Sequence, residues 1–373
     1  MLIVIAMLRD ESDILSAWLR HMIAICDQVL VVDHLSNDGS SEILRGFADA
    51  GLPIRYWRME EPGYWQSAVT TELARYAFNS GAEWVLPFDV DEFLDVESKA
   101  HLQAILRNHE QPLGFWRWRH VTPTAEVIES GGIDWNTPQL LGNPTYAPGN
   151  GGKVVLHKSL FHSLPGFRLG SGNHLLHGTA FAKALRGDTM GTLWHLPVRS
   201  RDQITRKLRR DLASHLNTKT AALPELEGAA NLKSQLLQRF SDAANSKEMM
   251  QRMGLGYGEM GIRCLDDTEL LANAVAISPR LPMIDQGPLR ATESGTLGKR
   301  VPELGNARTK HALVRARLST GTVEITPESR WELFLHNLEN GLSRWFTPGL
   351  RLARFLATSY VRSRLDMPAR AKD

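Results

Sequence analysis

Four short apolar runs, each separated from the next by a helical pattern, constrain the first hundred residues more than any other feature. Residues 2–8, 28–33, 54–57 and 84–88 are brief runs of mainly β-branched, aliphatic and aromatic side chains, as buried parallel strands are. Between the first two, Asp10, Ser12 and Asp13 supply helix-start chemistry, and Ile14, Leu15, Trp18, Leu19, Met22 and Ile23 follow at helical spacing. A helix from about Ser41 carries Ile43, Leu44 and Phe47, and another over 66–79 carries Val69, Leu73 and Tyr76. Strand alternating with helix returns the chain to the same end of the sheet each time, so the strands run parallel. The predicted fold class is α/β: a Rossmann-like, mostly parallel sheet with helices on both faces.

Ligands of such sheets bind outside the carboxyl ends of the strands. Three polar clusters fall there: Arg9, Asp10 and Glu11; Asp33 with Asp38; and Asp89, Asp91 and Glu92. Asp89 and Asp91 are spaced i, i+2, so a strand continuing through them would turn both carboxylates to one side. Two like charges so close call for a cation or a proton between them. Mg²⁺ or Mn²⁺, which link carboxylates to a substrate's phosphates, suits such a pair. Taken alone, the triplet also reads as a solvated acidic turn. Convergence of three clusters on one sheet edge favours a site.

Further on, residues 98–108 predict a helix and Phe115–His120 a strand of alternating aromatic and basic side chains. Residues 122–152, rich in Pro, Gly, Asn and Thr, read as a long loop. Another strand follows at 153–158, then a turn placing His174 and a short strand placing His195. From Ser200 the chain turns helical, with Ile204, Leu208 and Leu212 on one stripe and Arg206, Lys207, Arg209 and Arg210 largely off it. Those cations are either a solvated face or a set of phosphate contacts. The expected division is an α/β domain over residues 1–214, holding all three polar clusters, and a mainly helical region over 215–373 with an irregular middle over 256–330.

The order of the motifs resembles the family 2-like glycosyltransferases of the GT-A fold, in the branch whose acidic motif reads Asp-x-Asp-Glu-Phe. Met7–Leu15 is similar to that family's first-strand segment, with Asp10 where Asn is usual. Val31–Ser40 is similar to its Val-Asp-x-x-Ser-x-Asp-Gly-Thr turn, Phe88–Phe93 to its metal-binding motif, and His195–Ser200 with Lys207 to its closing pattern. The resemblance implies a metal-dependent, inverting transferase using a nucleotide-diphosphate sugar, with a UDP-sugar favoured and a glycan or lipid-linked acceptor. It makes Asp10, Glu11, Asp33, Asp38, Arg199 and Lys207 the candidate donor-binding residues, Asp33 facing the base or ribose. Asp89, Asp91 and His195 become the candidate ligands of Mn²⁺ or Mg²⁺. Asp188 and His174 are candidates by position for the base that deprotonates the acceptor. His34 stands where a second Asp is frequent, a departure that bears on base recognition.

Two rival classes meet the central motif. Haloacid-dehalogenase-type phosphatases also run from a strand into Asp-x-Asp, but Glu92-Phe93 replaces their usual Gly-Thr. A non-catalytic nucleotide-sugar-binding module would keep the scaffold and lack the base. Charged residues are 23% of the chain and the net charge is +2, which argues against a dedicated nucleic-acid binder. Cys26 and Cys264 form neither a disulfide framework nor a thiolate zinc pattern. The short first apolar run predicts no signal peptide, and no run is long enough to span a membrane, so the expected location is cytoplasmic. Arginines interleaved with Trp345, Phe346, Leu350 and Phe355 leave two readings of residues 331–364: a helix packed on its own protein, or peripheral contact with the inner membrane face.

Overall fold

Strand β1 (Leu2–Leu8) lies between β2 (Gln28–His34) and β4 (Trp84–Pro87), parallel to both, and β3 (Ile54–Met59) continues the parallel ladder beyond β2. In this computed structural model the described residues are 1–130, 132–135, 138–143, 151–163, 166–176, 189–217, 234–238, 247–257, 261–284, 314–318 and 321–327. Successive β1 side chains feed two separate layers, as the period of a strand requires. Val4, Ala6 and Leu8 join Trp18 of α1 (Ser12–Ile25) and Leu44 and Phe47 of α2 (Ser40–Asp49). Ile3 and Ile5 join Val69 and Leu73 of α3 (Gln66–Asn79). Helices therefore cover both faces of the parallel strands, as the alternating pattern predicts.

Beyond β4 the pairing changes. The chain makes a turn into β5 (Glu92–Leu94), then α4 (Lys99–Arg107), then the long β6 (Leu113–Pro123). Next come β7 (Leu140–Gly142), β8 (Gly152–His157), the short helix α6 (Lys158–Ser163) and β9 (Gly191–His195), with β10 (Val275–Ile277) at the far edge. The main path through the sheet is β10-β7-β6-β8-β4-β1-β2-β3, antiparallel from β4 outward, while β9 runs parallel to β6 and antiparallel to β5. The sheet is thus mixed, with its parallel strands gathered in one half.

Three local expectations change. Strand β4 stops at Pro87, so Asp89 and Asp91 sit in a turn and not on a strand. The stretch 122–152 holds a short helix, α5 (Ala125–Ser130), and β7. Within 256–330 a hairpin of β11 (Val314–Leu318) and β12 (Val323–Pro327) meets the edge of β3, where Arg58 N–H donates to Gly321 O at 2.9 Å. Residues on both sides of position 214 share the main sheet, because β10 pairs with β7. Residues 331–364 lie outside the described residues. Among those described, no helix is long and apolar enough to cross a membrane.

Gly152 opens β8 at φ +153°, and a Cβ there would stand 2.1 Å from the Trp116 carbonyl oxygen. That oxygen belongs to the neighbouring backbone and has no side chain to swing aside. Gly152→Ala is expected to cost about 1–3 kcal/mol, occasionally more, by forcing β8 and β6 apart. Urea unfolding checks it, and an unchanged midpoint refutes the close approach.

Candidate active site

A cleft of about 280 Å³ opens at the carboxyl ends of β1, β2 and β4, with the end of β9 and helix α7 (Arg201–Asn217) as its far wall. That volume is at the low end for small-molecule sites, about 300–1,000 Å³. The turn after β4 forms the floor. Glu92 N–H donates to Asp89 O at 3.1 Å, and Asp89 N–H donates to Glu92 Oε2 at 2.9 Å. This reciprocal pair closes the turn tightly enough to bring both Asp89 and Asp91 into the cleft.

Each aspartate has its own lysine. Lys153 of β8 is fully buried; its Nζ lies 2.6 Å from Asp89 Oδ2, 2.6 Å from Gly172 O and 3.3 Å from Glu92 Oε1. Gln66 Nε2 donates to the other Asp89 oxygen at 2.8 Å. Glu92 also accepts from Trp118 Nε1 at 2.6 Å. Burial pushes Glu92 up to about 8, against the pull of Lys153. Burial alone would raise Asp91 as well, but Lys207 at 2.5 Å, with His195 and Arg199 near, holds it well below the usual carboxylate range.

Behind Asp91 lies a second charged group. Arg199 grips both oxygens of Asp13, at 2.7 and 3.0 Å, and pairs with Glu11. Lys207 reaches Glu11 at 3.9 Å and Arg210 reaches it at 4.0 Å. His195 is buried, stacks on Trp118 at 4.5 Å and places Nε2 3.8 Å from Asp91 Oδ2. Its Nδ1 lies 2.9 Å from His120 Nδ1, so one ring donates and the other accepts. Burial lowers both rings, His120 to about 4, which suits a pair sharing one proton at that contact.

Of the residues singled out in the sequence, Arg9, Glu11, His34, Asp89, Asp91, His174, His195, Lys207 and Arg210 line the cleft. Arg199 stands behind it. Asp10 accepts from Asn37 N–H at 2.8 Å. Asp38 accepts from Ser12 N–H at 2.9 Å and Ser40 N–H at 3.0 Å, joining the starts of α1 and α2. Asp33 is turned to Arg58 at 2.8 Å, to Ser41 and to Ser36 N–H. Asp188 lies outside the described residues.

Several lining residues escaped the sequence reading: Gln66, Tyr64, Trp118 and Tyr257, with Lys153 just behind them. Lys153 had a signal, a lysine at the head of an otherwise apolar run. Arg210, already named in the basic stretch, follows Lys207 by three residues and hence lies on the same helix face. The basic stretch of α7 divides accordingly: Lys207 and Arg210 face the cleft, while Arg206 and Arg209 are exposed.

No family model matches the chain, and no curated protein matches it. Solved structures do show similarity. One is S. aureus TarS 1-349 in complex with UDP: 12% identity, 64% of this chain and 70% of that one covered, TM-score 0.33. A second is the mannosyltransferase PcManGT from Pyrobaculum calidifontis in complex with GDP-Man and Mn²⁺: 15% identity, 66% and 76% covered, TM-score 0.32. A third is the 4-diphosphocytidyl-2C-methyl-D-erythritol synthase from Anaerococcus prevotii: 13% identity, 44% and 72% covered, TM-score 0.24. Likeness at this level concerns the fold and carries nothing about the substrate.

The donor set can be tested against the implied metal. Asp89 and Asp91 offer hard oxygens on one wall, which suits Mg²⁺ or Mn²⁺ held by two carboxylates with phosphate oxygens completing the shell. Among the described residues no three His, Cys, Asp or Glu side chains converge as a full protein ligand set, so His195 is not joined to both aspartates. The pairing of Asp91 with Lys207 has a direct test. Lys207→Met strands a buried carboxylate and is expected to cost about 3–5 kcal/mol. Adding Asp91→Asn is expected to recover part of that loss, a coupling of about 0.5–3 kcal/mol in a urea-unfolding double-mutant cycle. Strict additivity refutes the pairing.

Proposed function

We propose that this chain is a glycosyltransferase that moves a sugar from a nucleotide-diphosphate sugar, with UDP the favoured nucleotide, to an acceptor hydroxyl. The observation that supports it most is the cleft itself. Two aspartates from one turn and two cations of α7, Lys207 and Arg210, line it together at the carboxyl ends of the parallel strands. Breaking a glycosyl–phosphate bond builds negative charge on the leaving diphosphate, and fixed cations beside it lower the barrier. A bound Mn²⁺ or Mg²⁺ would add to that charge stabilisation. Lys207 and Arg210 bind and orient the diphosphate; Asp91 holds Lys207 in place beside it, and Lys153 holds Asp89.

His174 supplies the proton chemistry in this reading. Its Nδ1 lies 2.7 Å from Gly152 O, a contact only an N–H can make, so the neutral ring carries its lone pair on Nε2. Such a ring on the cleft wall can take a proton from an acceptor hydroxyl, as an inverting reaction requires. The acceptor is a glycan or a lipid-linked sugar, in keeping with bacterial polysaccharide or glycoconjugate synthesis. A peripheral membrane contact through residues 331–364 remains part of this proposal.

Binding is measured first. UDP with Mn²⁺ at about 100 times its Kd is expected to stabilise the protein by about 2.7 kcal/mol. Asp91→Asn is expected to weaken metal-assisted UDP binding about 10- to 100-fold while the variant stays folded. Unchanged affinity and unchanged metal dependence would sink the assignment. Slow release of sugar from a UDP-sugar separates an enzyme from a binding module, whereas turnover of a generic phosphomonoester favours the phosphatase.

Activity then tests His174. His174→Ala is expected to lower kcat about 10²- to 10⁴-fold with donor affinity kept. Loss of donor binding with kcat preserved would reassign His174 to the donor side.

A further inference from the structure

Each aspartate of the acidic turn has a cation against it, and the two cations are held very differently. Lys153 is wholly buried, and its ammonium meets Asp89 Oδ2 and Gly172 O at 2.6 Å each and Glu92 Oε1 at 3.3 Å. Gln66 ties the same turn and loop together again, donating to Asp89 Oδ1 at 2.8 Å and accepting from Gly172 N–H at 3.0 Å. An ammonium has three N–H groups, so Lys153 has none to spare. Lys207 is freer. Its side chain keeps 14% of its surface exposed, and its one direct hydrogen bond among the described residues goes to Asp91 Oδ2 at 2.5 Å. Glu11 stands 3.9 Å off. Lys207 lines the cleft, so its ammonium can leave Asp91 without leaving the site.

These contacts bear on how a divalent ion enters, an inference that rests on the proposed function, in which Asp89 and Asp91 take Mn²⁺ or Mg²⁺ beside a diphosphate. Among the described residues no third His, Cys, Asp or Glu joins the pair, so the protein alone offers an ion two carboxylates, each already paired with a lysine. A doubly charged ion arriving at Asp91 meets an ammonium on the same carboxylate, and like charges that close repel strongly. A diphosphate changes the balance, because its oxygens accept from Lys207 as Asp91 does.

We propose that Lys207 is a resident counter-ion that keeps a free divalent ion off Asp91 and gives way when a diphosphate takes over its ammonium. Lys153, pinned between the turn and the Gly172 loop, stays in place and keeps Asp89 fixed. Ion and nucleotide then bind cooperatively, each raising the affinity for the other by the same factor. An exchange of this kind leaves Asp91 paired at every stage, which a buried carboxylate requires.

Mn²⁺ binding to the full-length protein without nucleotide, followed by electron paramagnetic resonance, isolates the exchange. Lys207→Met is expected to bind Mn²⁺ about 5- to 150-fold tighter than the wild type. Lys207→Arg keeps a cation against Asp91, and Arg210→Gln removes one from the same helix face but not from Asp91. Each is expected to stay within about threefold of the wild type. Because Lys207→Met strands Asp91, Mn²⁺ is also expected to raise its urea midpoint more than that of the wild type. An arm that needs no variant uses the wild type alone. There UDP is expected to tighten Mn²⁺ about 5- to 150-fold beyond the Mn²⁺–UDP association measured in free solution. Equal Mn²⁺ affinity of Lys207→Met and the wild type overturns the proposal, and so does an equal gain in Arg210→Gln, which would trace the effect to overall charge. Wild-type affinity for Mn²⁺ that UDP leaves unchanged overturns it too, with the donor site still standing. If Mn²⁺ binds neither form even beside UDP, the cation reading of Asp89 and Asp91 falls and this inference falls with it.

Discussion

The buried charges around Asp91 are what the rest of the site depends on. Glu11 comes from the end of β1, Asp91 from the turn after β4, Arg199 from the segment after β9 and Lys207 from α7. Removing several charges from water is expensive, and their mutual pairing recovers that cost only when all partners are present. Arg199 and Asp13 are 186 positions apart in sequence, yet their bidentate contact fixes where α7 begins against the start of α1. Hydrophobic layers assemble the sheet and its helices. The charge cluster decides how α7 meets the strand ends, and therefore where the cleft lies.

A second buried group mirrors the first across the turn. Glu92 accepts from Trp118 and from the Asp89 N–H, while Lys153 bridges Glu92, Asp89 and the Gly172 carbonyl. The far side of Trp118 is stacked on His195, and an edge of His174 meets it at 4.8 Å. Trp118 thus touches both charged groups and both cleft histidines. Charge and aromatic packing are interlocked here, so a change on either side of the turn reaches the other through one indole.

The parallel half of the fold was legible because each strand there is a short apolar run set off by helix caps. The helix over 66–79 matches to the residue, since Val69 and Leu73 fall on one buried stripe. The antiparallel half was less legible. Strand β7 is three residues long within a Pro- and Gly-rich stretch, and what makes it a strand is its pairing with β6 and β10, a long-range contact that local pattern does not encode. At the site, the acidic turn was visible as a motif, but its geometry was not: Pro87 ends the strand, and the Asp89–Glu92 turn replaces strand alternation as the reason both aspartates face one way. The lysines that neutralise them come from β8 and α7, far away in sequence. Asp33 and Asp38 carried the right chemistry in the right loop, yet local hydrogen bonds claim their oxygens.

The hairpin of β11 and β12 has a role at the opposite border of the sheet. Strand β3 is the last member of the parallel ladder, and such a border presents unpaired N–H and C=O groups that can recruit another chain. Gly321 accepts from the Arg58 N–H near the carboxyl end of that border, and Thr322 bridges to the same residue. Arg58 is also the residue whose guanidinium holds Asp33. A shield against strand-to-strand self-association and the anchor of the loop after β2 therefore meet in one arginine, so fraying of this border would disturb the mouth of the cleft and promote aggregation in the same event.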